Sequence, residues 1–532
     1  MRKTKNKAHL SKENGNFLLK SIARRIYHTL VSIDQTKRDI RLIIIFLTFI
    51  SILYSFISIS LHNKFMTFGL DLGYFDEVIW KISAFRFPYS STGCIWVLED
   101  HFQLILYFLA PLFWIWDNVR FLLIAQSFVM IFAGLPLYIL SKKITGSRVF
   151  SFGIIFSYVL FIGIQFSILN EFHQIAFAPI FIAILYLSLE KKNWKWFVYS
   201  LFFLFIIKED ISLLIGAIGF GLIFRKGYRK LGLITFIFGT FFFFFLVYAF
   251  MPQISVKGVY DHFQFGSAGE NPQEIIIHSI TDPLFFINSM VSPVIKLDTI
   301  FKSLFTYAFL PLFSPLFMLI PLFEDFATRF IYAGPQYTKW ALVNHHAATG
   351  AMLLAISSIY GGSRLINRFN QKYKKNLFII LGILLISLAL IGDFIFHGPI
   401  NSILKPQFYQ KEQWMIDNEE VLKHIPQNPD ISVAAQNNLL PHITHRESAY
   451  RLPYGLNSLY IFVDLHDGPN KYSPLNHQQV VKFVDDLLKA KRYSIVFQKG
   501  EAMLLKRNYK TDITKSPYYG NTNYCYYSYE ER

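Results

Sequence analysis

Thr235-Phe236-Ile237-Phe238-Gly239-Thr240-Phe241-Phe242-Phe243-Phe244-Phe245-Leu246-Val247-Tyr248-Ala249-Phe250 holds no charged side chain. The apolar block around it extends from position 231 to 251, about the 20 residues that cross roughly 30 Å of hydrocarbon. A second such block covers 42–60. Further apolar blocks lie at 119–140, 149–169, 174–189, 196–207, 211–224, 299–312, 314–323, 340–359 and 377–396. The whole chain has 532 residues, 53% hydrophobic and 16% charged, with 57 Phe and 30 Tyr. A soluble domain carries about 25% charged residues and disperses its apolar ones. These blocks exclude an ordinary soluble enzyme, a disordered chain and a soluble repeat array. The fold class is an all-α polytopic membrane protein.

Lys and Arg set the sides, because short cytosolic loops retain them. Positions 1–41 hold 11 Lys and Arg against 3 acids, followed by one long apolar block with no small-residue cleavage site. That is the pattern of a cytosolic tail and a retained first span. Four later clusters are Lys142/Lys143/Arg148, Lys191/Lys192/Lys195, Arg225/Lys226/Arg229/Lys230 and Arg364/Arg368/Lys372/Lys374/Lys375. With the tail they hold 26 of the 52 Lys and Arg, so loops explain the net charge of +17 and no nucleic-acid partner is called for. Keeping every cluster inside makes 102–116 a helix at the outer interface, where Tyr107, Trp114 and Trp116 sit well. It also makes 196–224 two short helices with Lys208-Glu209-Asp210 between them facing out, and splits 299–323 near Pro311 and Pro315. The map has about eleven spans. A basic cytosolic tail (1–40) precedes a transmembrane domain (41–396) whose first outer loop is 61–118. Other outer loops are 252–298 and 324–339, and the tail 397–532 is extracytoplasmic. The expected location is the plasma (inner) membrane.

The tail changes character. Positions 431–435, 460–464 and 494–497 read as strands, and 477–491 repeats Val480, Phe483, Val484, Leu487 and Leu488 at helical spacing. Gln498-Lys499-Gly500-Glu501 reads as a hairpin turn before 502–505. This is a small α/β domain. Two cysteines, Cys94 and Cys525, exclude a disulfide scaffold and a cysteine-rich metal site.

Charge at membrane depth is costly and marks functional candidates. The first outer loop is the densest acidic region, with Asp71, Asp76, Glu77, Glu99 and Asp100, and His101 adjacent. Asp71 can act as the general base on an acceptor hydroxyl, or it can cap a short helix over 72–81. Glu171 and His173 lie in a short turn. Lys208-Glu209-Asp210 sits between helices too short for the apolar layer, so its tip is recessed and either lines a wet cavity or closes an ion-pair network. Glu324, Asp325 and Arg329 follow the Pro-rich pair. His345 and His346 are neighbours on a helix, a poor chelating pair because their side chains diverge. Paired carboxylates can hold Mg²⁺ or Mn²⁺ against a phosphate, though no spacing demands a metal. No P-loop and no Gly-x-Ser-x-Gly elbow is present.

Leu70-Asp71-Leu72-Gly73-Tyr74-Phe75-Asp76-Glu77-Val78-Ile79-Trp80, Glu99-Asp100-His101-Phe102, Ala110-Pro111-Leu112-Phe113, Asn170-Glu171-Phe172-His173, Lys208-Glu209-Asp210 and Val433-Ala434-Ala435-Gln436-Asn437-Asn438-Leu439-Leu440-Pro441-His442 occur in this order. Together they resemble the bacterial multi-pass family called domain of unknown function 2079, over about positions 40–508. Glu171 and Glu77 stand where that family tends to have Asp and Gln. The family is similar to the GT-C superfamily of polyprenyl-phosphate-sugar-dependent glycosyltransferases. The resemblance implies a first-loop catalytic acid, interfacial helices, about a dozen spans and an extracytoplasmic C-terminal domain. Asp71 takes the place of that acid, assisted by Asp76, Asp100 or His101. The substrate-binding group would draw on Glu77, Glu171, His173, Lys208, Glu209, Asp210, Glu324, Asp325, Arg329 and His345. Its partners would be membrane lipid, a polyprenyl-phosphate-linked sugar, and a glycan, lipid or protein acceptor. The alternatives are a transporter or lipid flippase built on Lys208, Glu209 and Asp210, or a non-catalytic membrane scaffold.

Overall fold

The computed structural model describes residues 37–260, 262–263, 265–331, 339–469 and 473–508. Cys525 and most of the basic N-terminal tail lie outside them. The chain divides within α1 (Lys37–His62) into a unit ending at Ile50 and a second from Ser51, which carries all the remaining elements. The loop after α1 holds α2 (Tyr74–Ser83), the two-stranded ribbon β1 (Tyr89–Ser90) and β2 (Ile95–Trp96), and the short segments α3 (Ile105–Leu109) and α4 (Leu112–Ile115). Tyr107, Phe108, Trp114, Ile115 and Trp116 stay exposed on the last two, as expected of an interfacial stretch. Next come α5 (Arg120–Thr145), α6 (Arg148–Leu160), α7 (Ile162–Leu169), α8 (Gln174–Lys191), α9 (Trp194–Phe205), α10 (Glu209–Ile223) and α11 (Arg229–Ile254). They are followed by α12 (Pro272–Thr281), α13 (Pro283–Val291), α14 (Ile295–Thr306), α15 (Leu316–Phe330), α16 (Ala348–Ile366) and α17 (Gln371–Ile395).

Five helices, α1, α5, α8, α11 and α17, are long and apolar enough to cross a membrane, and the bent pairs α6/α7 (45°) and α13/α14 (72°) bring the number to seven. By this measure the expected eleven is not reached. The helices α9, α10 and α15 run 12, 15 and 15 residues, only roughly 18–23 Å at 1.5 Å per residue. The supposed outer loop 252–298 is largely helical. Asn271 and Asp282 accept from the backbone N–H of Glu274 and Phe285, and a proline at the first turn of each helix starts α12 and α13. The loop expected from 324 is also displaced, because α15 continues to Phe330 and carries Glu324, Asp325 and Arg329. Backbone contact joins α10 to α11. A Cβ on Gly219 would lie 2.2 Å from the Phe236 nitrogen, and one on Gly239 would lie 2.5 Å from that of Gly216.

The tail domain contains α18 (Gln413–Leu422), β3 (Val433–Ala435), β4 (Ala449–Arg451), β5 (Tyr460–Asp464), α19 (His477–Lys489), β6 (Tyr493–Lys499) and β7 (Ala502–Arg507). The sheet order is β4-β3-β5-β7-β6, parallel through β4, β3 and β5 and antiparallel beyond. Alternate residues face opposite sides. Ala434, Ile461, Val463 and Leu505 pack on Val480, Phe483, Val484 and Leu487 of α19. Val433, Ala435, Phe462 and Leu504 pack on Trp414, Met415 and Val421 of α18, and on Phe65 just past α1. Both sheet faces are thus covered, which is why β3 and the centre of β5 are apolar on both sides.

Candidate functional site

Two supports fix the turn Gly69–Gly73 that carries Asp71. The Gly69 N–H donates to the Asn437 carbonyl at 2.6 Å and the Leu70 N–H to Asn437 Oδ1 at 3.1 Å, both in the tail domain. A Cβ on Gly69 would lie 2.6 Å from Leu440 Cδ2, so only glycine allows this approach. From the other side Glu171 Oε2 accepts the Leu72 N–H at 3.0 Å. Asp71 makes no side-chain cap on α2, and Gly73 precedes that helix instead. Its carboxylate stays 26% exposed, with Oδ1 3.5 Å from His173 Nε2. The His173 ring stacks on His345 at 3.6 Å and His345 lies against His346, so this pair packs rather than chelates. Arg451 of β4 is near enough to feel the charge of Asp71.

A second cluster joins the loop acids to the tip between α9 and α10. Glu209 is fully buried and accepts from His101 Nδ1 (2.8 Å), the Phe102 N–H (3.0 Å) and the Tyr260 hydroxyl (2.7 Å). The tip between α9 and α10 is a satisfied network at Glu209, while Lys208 reaches Asp210 at 3.4 Å. His262 Nε2 lies 3.3 Å from Asp100 Oδ1, and its ring stacks on His101 at 4.0 Å. Glu99 secures the segment bearing Tyr260 and His262 by accepting the Val256 N–H. Burial favours the neutral Asp100 carboxyl, but His101 and His262 outweigh it and hold that group below the usual carboxylate range. Burial would likewise lower His262, yet Asp100 and Glu209 raise it. Burial lowers His101 despite Glu209.

Ligand atoms of Asp100, His101 and His262 all lie within 4.8 Å of one another. With Nδ1 of His101 held by Glu209, Nε2 is left to coordinate, the usual carboxylate–histidine–metal relay. Two imidazoles and one carboxylate suit Mn²⁺ or Zn²⁺ better than Mg²⁺, which prefers oxygen.

The third group lies on α15. Asp325 Oδ2 accepts from Arg329 Nη2 at 2.7 Å, and Oδ1 accepts the Thr349 hydroxyl at 2.6 Å. Arg329 Nη1 is buried without a hydrogen-bond partner among the described residues. The three groups adjoin: His345 feels His173, Lys208 and His101, and Glu324 feels Asp210.

Two expected site residues lie elsewhere. Glu77 is fully buried and accepts five bonds, from Lys81, Ser90, Ser91 (N–H and hydroxyl) and Thr92, so it organises the loop. Asp76 accepts from Thr444 and pairs with His445 Nε2 at 3.0 Å, while His445 Nδ1 meets Asp117 at 2.8 Å. Sequence reading missed Tyr260, His262, His445 and Arg451, which no local spacing ties to the loop acids.

A search of curated proteins matches none of them to this chain. The model of one family matches residues 61–511, which include every group above, and on that match the chain belongs to the family described as "Predicted membrane protein (DUF2079)".

Proposed function

We propose that this protein is an integral-membrane glycosyltransferase of GT-C type, moving a sugar from a polyprenyl-phosphate donor to an extracytoplasmic acceptor. About eleven passes, with a cytoplasmic N-terminus and the tail domain outside, complete the reading. The observation that carries it is Asp71, a partly exposed carboxylate on a turn clamped from two sides, beside His173 and within electrostatic reach of Arg451. The acceptor oxygen bonds to the anomeric carbon as the bond from that carbon to the phosphate oxygen breaks. The hydroxyl proton passes to Asp71, and the electron pair leaves with the phosphate. Lys208 and Arg329 meet the phosphate charge. A divalent cation held by Asp100, His101 and His262 would supply further charge for that phosphate.

Asp71→Asn tests the reading. It should preserve expression and folding and abolish incorporation of radiolabelled sugar from a polyprenyl-phosphate donor. Wild-type incorporation in that variant would remove Asp71 from the mechanism. Glu209, locked by three donors, offers little to a transported ligand and so argues against the transporter alternative.

A further inference from the structure

The transfer reading does not use the tail motif Gln436-Asn437-Asn438. Asn437 holds the Asp71 turn, but Gln436 and Asn438 face a different feature, a cavity of about 170 Å³ in the tail domain. It sits just past the carboxyl ends of β3 and β5. These adjacent parallel strands lead in opposite directions, since β3 continues to β4 on one side and β5 through α19 to β6 on the other. In open α/β sheets this switch point is where ligands bind.

We propose that this cavity binds a neutral, hydroxyl-rich ring: one sugar unit. Its lining offers both acceptors, on Asn438, Asp464 and Asp467, and amide or ring donors, on Gln436, His466 and His477. Asn438 is 4% exposed and its Oδ1 has no hydrogen-bond partner among the described residues, an expensive state for a buried amide unless a ligand donates to it. The carboxylate of Asp464 accepts from the His466 N–H (2.9 Å) and Asn418 Nδ2 (2.6 Å), and each oxygen keeps a further lone pair. Asp467 adds an exposed carboxylate.

Charge selects the class. Two carboxylates disfavour an anion. The N-terminus of α19, opened by the Asn476 capping box, and the rings of His466 and His477 disfavour a cation. A neutral donor of several hydroxyls satisfies both. Pro469 and Leu475 offer an apolar wall for the carbon face of a ring, and the volume fits one ring rather than a larger ligand. The inference rests on the proposed transferase only for the source of the sugar, the acceptor glycan. Binding itself does not need Asp71.

The test uses the full chain in lipid nanodiscs, titrated with glucose, galactose, mannose and N-acetylglucosamine, each to about 50 mM, since weak sites need high ligand. Trp414 stacks on His466 with centroids 5.4 Å apart, so its fluorescence reports the cavity, alongside saturation-transfer NMR. At least one sugar should saturate. Asp467→Ala should weaken it about tenfold, Asn438→Ala should abolish it, and Asp71→Asn should leave it unchanged. The exposed Asp467 decides alone if Asn438→Ala does not fold. The proposal is overturned if no sugar saturates, if Ca²⁺ or inorganic phosphate binds there instead, or if neither cavity substitution matters. Sugar binding that persists in an Asp71→Asn protein devoid of transfer separates this site from the transfer centre.

Discussion

His445 joins the tail domain to the first outer loop, and its removal gives a measurable pH dependence. The ring lies between the Asp76 and Asp117 carboxylates, flanked by Trp80 (5.8 Å) and Phe113 (5.1 Å). Burial alone would lower its pKa, but the two carboxylates raise it from 6.5 to about 10. A group raised in the folded state contributes its full stability below its unfolded pKa, near 6.5, and loses it as pH climbs towards 10. At 1.36 kcal/mol per unit the ceiling is about 5 kcal/mol. The Asp117 side chain is 62% exposed, so its share is screened, and about 2 kcal/mol is the expected net. Urea unfolding of the tail domain within the full chain, followed by tryptophan fluorescence, measures it. Wild type should exceed His445→Gln by that amount at pH 6.5, with the gap closing by pH 9.5. A gap that stays constant across this range, or never appears, would refute the assignment of a protonated His445 to this junction.

Glu77→Ala strips a buried loop of the acceptor for Lys81, Ser90, Ser91 and Thr92 and should cost about 3–5 kcal/mol, seen as loss of folded protein in size-exclusion analysis. Glu77→Gln, which keeps one acceptor oxygen, should cost less. Gly219→Ala forces α10 away from α11 and should lower the thermal midpoint through about 1–3 kcal/mol of overpacking. An unchanged midpoint would contradict the backbone contact. Glu209→Ala frees His101 and should weaken Mn²⁺ or Zn²⁺ binding by about 10- to 100-fold, read by calorimetry on metal-stripped protein, while His262→Ala should abolish it. Equal metal affinity in all three proteins would remove the cation from this site.

Where pattern is local, sequence reading and structure agree. The expected strand at 460–464 is β5, the helix at 477–491 is α19 shortened at its end, and the turn at 498–501 joins β6 to β7. Period 2 and period 3.6 suffice there because each element faces a core on a known side. Length and hydropathy support five to seven of the eleven expected spans among the described residues, because a charge rule assigns sides to apolar blocks without telling a crossing helix from a short one that ends partway. Asn271-Pro272 and Asp282-Pro283 are helix-start signals in plain view, but a search for charged loops passes over them. The residue pairs are the deepest gap. Asp76 and His445 are 369 positions apart and Glu209 and Tyr260 are 51 apart, so only the folded chain brings them together.

These long-range pairs also bind the tail domain to the loop after α1. Asp71 sits on a turn whose backbone is bonded to Asn437, while α2 directly after it is pinned by Thr444 and His445 through Asp76. Ser91 and Ala449 exchange hydrogen bonds farther along the same loop. The turn's remaining support is Glu171, in the connection between α7 and α8. A carboxylate that must meet an acceptor hydroxyl within a few tenths of an ångström cannot be positioned by one flexible loop. The turn bearing Asp71 is held both by Glu171 of the helical domain and by Asn437 of the tail domain. Asn437 closely follows β3, so the turn that carries Asp71 is tied to the carboxyl end of that strand in the tail-domain sheet.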